Sequence, residues 1–147
     1  MNEDIAQTRT LVVEREVAHP PEKLWRALTQ PHLIEEWLMK NDFKPVVGHK
    51  FTLRRDPKPD VHVAIDCEVL SMDPNRMLSY TWDAFGLESV VTFTLTPTPT
   101  GTHLKLEQSG FPIDQKAAFN GARASWPHFL ATLERVLDNE DDKGDKS

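Results

Sequence analysis

The sequence predicts an α+β fold in which a curved antiparallel sheet of about six strands wraps around one long C-terminal helix. Three observations carry this. Between Gly48 and Ser109 the apolar residues alternate, in runs separated by short turn sequences. From about Ile113 the period changes to three or four residues and stays there. After the first strand, two short proline-led segments interrupt the β pattern before it resumes.

The elements follow in order. TLVVEREV, residues 10–17, is a strand with Leu11, Val13, Arg15 and Val17 on one face. Pro20 ends it, and Pro21 suits the first turn of a short helix carrying Leu24, Trp25 and Leu28. Thr29-Gln30-Pro31 breaks that helix. HLIEEWL starts a second, with Leu33, Ile34, Trp37 and Leu38. KFTLRR is a strand with Phe51 and Leu53 on one side, and DPKPD a turn. VHVAIDCEVLSM is a longer strand with Val61, Val63, Ile65, Cys67 and Val69 aligned. MDPNR reverses the chain, because Pro fixes φ and Asp and Asn supply local hydrogen bonds. MLSYTW aligns Leu78, Tyr80 and Trp82, and DAFGLE is a loop or hairpin turn. SVVTFTLTP places Val91, Phe93 and Leu95 together, and THLKLEQS is the last strand. Short turns between consecutive strands imply antiparallel pairing.

The final helix carries an apolar stripe of Ala117, Ala118, Gly121, Ala122, Ser125, Trp126, Phe129, Leu130, Leu133, Val136 and Leu137, and it reaches Asp138. Pro127 lies inside it. A mid-helix proline costs about 3 kcal/mol in an ideal helix, so a kink or a break is expected there. The chain reads as a single domain over 1–147, with a folded core at 8–138. The tail at 139–147 is acidic, with almost no apolar residues, and is expected to be disordered.

Composition excludes several functions. Net charge is −6, from 17 basic and 23 acidic residues, with no basic stripe, which argues against nucleic-acid binding. No apolar run approaches membrane-spanning length, and the opening MNEDIAQTRT lacks a signal-peptide layout, so cytoplasmic residence is expected. The one cysteine, Cys67, reads as a small buried hydrophobe. The histidines at 19, 32, 49, 62, 103 and 128 have no metal-ligand spacing. GxSxG, GxGxxG and P-loop motifs are absent, so neither a nucleophilic triad nor a cofactor is indicated.

The order of elements resembles the helix-grip, or START-like (SRPBCC), fold. Four stretches carry a more specific likeness. EREVAHPPEKLWRALTQPHLIEEWL resembles the opening of the family related to the C-terminal domain of the heat shock protein 90 ATPase activator, through Arg15, Pro21, Trp25, Thr29, Pro31 and Trp37. EVLSMDPNRMLSYTW is similar to the family's strand, Asp-Pro and strand ending in Trp. GTHLKLEQSGF matches its last strand with the Gly110-Phe111 exit, and GARASWPHFLATLERVL its terminal helix. The likeness spans roughly residues 8–138.

Such a fold leaves a concave, mainly apolar space between sheet and helix, suited to a small molecule. Trp37, Tyr80, Trp82, Phe85, Phe93, Trp126 and Phe129 are the aromatic candidates for its wall. Gln108 continues the inward row of Leu104 and Leu106, and an unpaired buried amide costs about 1–3 kcal/mol, so it is a candidate polar contact, as Tyr80 is. Arg15, also facing inward, must find a carboxylate or stay wet. The expected function is therefore binding of a small hydrophobic or aromatic molecule. The resemblance also implies two alternatives: an aromatase-, cyclase- or hydrolase-like enzyme using the same cavity, and a chaperone ATPase activator-like interaction module. A chaperone partner ranks below a small molecule, because chaperone activators carry a separate N-terminal domain that this sequence does not show.

Overall fold

The computed structural model describes residues 8–145. Strands β1 (Thr8–Val17), β2 (Lys40–Asn41), β3 (Lys50–Lys58), β4 (Val61–Asp73), β5 (Met77–Ala84), β6 (Leu87–Thr98) and β7 (Gly101–Pro112) form one open antiparallel sheet. Its order is β1-β7-β6-β5-β4-β3-β2, so the first strand pairs with the last and the remainder is a meander. Six of these strands are the six expected. The seventh, β2, has two residues and pairs with β3 through Lys40–Arg54 and Asn41–Leu53, too short to leave a sequence pattern.

Helices α1 (Pro21–Thr29) and α2 (Pro31–Trp37) each begin on a proline, whose missing N–H is one of the donors a first turn leaves unpaired anyway. Trp37 anchors the pair, its indole donating to the Ala27 carbonyl at 2.8 Å. Helix α3 (Lys116–Asp145) covers the inner face of the sheet. It runs through Pro127 without a break. It also passes the expected end at Asp138: residues 139–145 continue the helix, since no proline intervenes, and 146–147 of the expected disordered tail lie outside the described residues.

The two halves of α3 are held differently. Toward its C-terminal end Leu130, Leu133, Val136 and Leu137 are buried. There Glu134 pairs with Arg15 of β1, and Asp138 lies 2.7 Å from His19, just past the end of that strand. Arg15 thus finds the carboxylate its inward position demanded. Toward the N-terminal end Phe119 packs edge-on against Phe111 of β7, with 5.4 Å between centroids, while Ala117, Gly121 and Ser125 stay exposed and Ala118 and Ala122 half-buried. Between the buried Phe119 and Trp126 the side chains at 121, 122 and 125 are small, and the helix leaves a gap.

Candidate functional site

The gap is a cavity of about 290 Å³, at the lower edge of the range typical of small-molecule sites. Its helical wall is Gln115, Ala117, Ala118, Gly121, Ala122, Ser125, Trp126 and Phe129. Arg55, Val63, Ile65, Trp82, Ala84, Phe85, Leu87, Gln108 and Phe111 form the sheet side, and Met39, just after α2, closes one end.

Five of the eight sequence-predicted residues meet here: Trp82, Phe85, Gln108, Trp126 and Phe129. Trp126 is central, with ring centroids 5.2 Å from Trp82 and 5.6 Å from Phe129. Phe85 sits at the rim. It and Gly86 have φ of +54° and +78°, the two-residue turn whose twist suits a hairpin, and Phe85 is 87% exposed.

The other three are placed elsewhere. Trp37, Tyr80 and Phe93 are buried behind the cavity and do not line it. Phe93 packs between Trp37 at 6.2 Å, Tyr80 at 6.0 Å and Trp126 at 6.1 Å. Tyr80 lies against Phe51 at 5.1 Å, and burial pushes its phenol well above the ordinary value, with the nearby Cys67 adding to the rise. Tyr80 and Phe93 face inward from the sheet as expected, and Trp37 faces in from α2, edge-on to Phe93. Cys67 is likewise a core residue. Burial, then Asp83, Asp66 and Asp42, push its thiol up, and it stays protonated.

Gln108 is 2% exposed, and the protein itself satisfies it. Its Oε1 accepts from Trp126 Nε1–H at 2.8 Å, and its Nε2 donates to Ser89 Oγ at 3.0 Å. Ser89 in turn donates to the Trp82 carbonyl at 2.7 Å. One relay therefore ties both cavity tryptophans to three neighbouring strands. Its amide assignment follows from this network, since Trp126 can only donate.

A β-bulge makes the arrangement possible. Leu11 of β1 faces Gln108, yet Arg9 faces Phe111, so Ser109 and Gly110 together oppose Thr10. One extra residue flips the alternation. Gln108 and Phe111, three apart, thus both point at the cavity. Gly110 adopts φ of +102°, and a Cβ there would stand 2.9 Å from the Glu88 carbonyl oxygen. The last strand accordingly continues to Pro112, past the Ser109 end suggested by its alternation.

Arg55 escaped the sequence reading. It follows Phe51 and Leu53 on the inward row of β3, opposite Val63. That alternation is the signal that was available.

A long C-terminal helix held against an open antiparallel sheet, with two short helices after the first strand, defines a helix-grip protein of the START-like class. The chain belongs to the family Activator of Hsp90 ATPase homolog 1-like protein, whose profile matches residues 18–138. It is similar to protein MLL2253 from Mesorhizobium loti, with 62% identity over 89% of this chain and 98% of that one, and a TM-score of 0.83. It shares its fold with protein NE0264 from Nitrosomonas europaea, at 21% identity, 90% and 96% coverage and a TM-score of 0.80. It shares it also with DynU16, a protein in the dynemicin biosynthetic locus, at 24% identity and a TM-score of 0.76, over 88% of this chain and 47% of that one. No curated protein matches. Among the described residues no helix is long and apolar enough to cross a membrane.

Proposed function

We propose that the protein is a cytoplasmic binder of a small, largely apolar aromatic molecule, held between the first half of α3 and the sheet. The observation that carries this is the stand-off itself. Small residues at 117, 118, 121 and 122 leave the space between helix and sheet unfilled, where larger side chains would have occupied it. Trp82, Trp126 and Phe129 supply stacking area, and the bond to Gln108 fixes the Trp126 indole before any ligand arrives, which lowers the ordering cost of binding. Among the described residues the wall's polar groups are a guanidinium, two amides, a hydroxyl and the indole N–H groups, a set suited to recognition rather than proton exchange.

The test is titration with the uncharged fluorophore phenylnaphthylamine. Saturable binding is expected, with a change in tryptophan emission. It should be lost in Gly121→Leu, where a Cβ meets nothing within 4 Å and the side chain can occupy the cavity. Absence of saturable binding, or equal binding by the filled variant, would refute the proposal.

A further inference from the structure

Among the described residues Arg55 is the sole charged one on the cavity wall. Its position on β3 is set by alternation: Phe51 and Leu53 are buried on the same face, and the next inward place holds a guanidinium instead of an apolar group. A cation at such a place normally finds a carboxylate. Among the described residues the Arg55 side chain makes no ion pair and no hydrogen bond. Asp56, its neighbour in sequence, is engaged 2.7 Å from His62. Glu35 lines an adjoining depression with Arg55 but forms no pair with it.

The remaining polar groups narrow the chemistry further. The Trp126 N–H, the Gln108 amide and the Ser89 hydroxyl are joined to one another. The floor therefore offers a ligand stacking surface and little unspent hydrogen bonding. Gln115, Ser125 and Arg55 make no side-chain hydrogen bond among the described residues, and only Arg55 is charged. Five donors in a planar fork at the end of an otherwise apolar space match an oxyanion attached to a ring system.

We propose that the cavity selects aromatic molecules bearing one acidic group, a carboxylate, sulfonate or phenolate. The rings would lie against Trp82, Trp126 and Phe129, and the acid would meet Arg55. This rests on the cavity-binding reading above and specifies its ligand class. The protein's net charge of −6 works against anions at long range, so the preference must arise locally at Arg55.

The test compares two fluorophores with one skeleton, the neutral phenylnaphthylamine and the anionic anilinonaphthalene sulfonate, on the full chain. Arg55 is exposed, so Arg55→Gln should leave the fold intact, as circular dichroism will check. Arg55→Gln is expected to weaken the anionic probe about tenfold, equivalent to about 1.4 kcal/mol, and the neutral probe less than about twofold. Arg55→Lys should recover part of the loss, and added salt should weaken only the anionic probe. An anionic affinity indifferent to Arg55, or an equal loss for both probes, overturns the acidic-ligand inference while cavity binding stands. Neutral-probe binding that fails, or that survives Gly121→Leu, overturns the cavity reading and this inference with it.

Discussion

The Trp126 indole on α3 donates to the Gln108 amide on β7 at 2.8 Å, a buried bond joining helix to sheet beside the cavity. Gln108→Met keeps the side-chain volume and removes the acceptor. The Trp126 N–H and the Ser89 hydroxyl both lose their Gln108 partner. The expected cost is about 1–3 kcal/mol, read from the urea midpoint at unchanged m-value. A loss below about 0.5 kcal/mol would mean that the bond is not structural.

Gly110→Ala tests the bulge. The alanine would have to accept φ of +102° with its Cβ crowding the Glu88 carbonyl. A loss of more than about 1 kcal/mol is expected. Because the bulge aims both Gln108 and Phe111, probe binding should weaken as well. Retained stability and binding together would show that β7 can re-register without it.

Gly121→Ala is expected to act in the opposite direction. A glycine inside a helix costs roughly 0.5–1 kcal/mol relative to alanine, and the added methyl meets nothing. Thermal unfolding should shift upward by roughly 2–4 °C. The methyl also narrows the cavity, so affinity for bulky probes should fall as stability rises. A lowered Tm would contradict the open space seen at this position.

His103 on β7 bridges Glu14 and Glu16 of β1 on the exposed side of the sheet, with Nε2 2.8 Å from Glu14. Hydrogen bonds to Glu16 and then Glu14 raise its pKa above the ordinary 6.5. A raised folded value means that the unfolded chain releases its proton first as pH rises. The stabilisation is therefore full below about pH 6.5 and fades as pH climbs through the folded value. Denaturation curves of wild type and His103→Gln should differ most near about pH 6 and converge in alkali. A gap that widens with pH would contradict the assignment.

The elements were legible because alternation and helical period survive in single segments. The lining was less so. Alternation tells which side of the sheet a residue faces but not how far along the sheet it stands. Tyr80 and Phe93 face inward as truly as Trp82, yet other side chains, that of Trp37 on α2 among them, cover them, and only packing distinguishes the two cases. Gln108 betrayed itself as a polar residue in an apolar row. Arg55 left the same kind of mark and passed as the end of a strand. The bulge was hidden, because Ser109-Gly110 looks like a strand exit, and only the pairing with Arg9 and Leu11 exposes the extra residue.

The division of labour along α3 has a consequence for how such a protein can change. Leu130, Leu133 and Leu137 hold the helix in place, while the residues bounding the cavity at 117, 118, 121 and 122 are small, the first and third exposed and the other two only half-buried. Substitutions there alter the room and chemistry offered to a guest without touching the buttress. Phe119 and Trp126 stay bound to the sheet, while the four small positions between and beside them are open to change at little risk to folding.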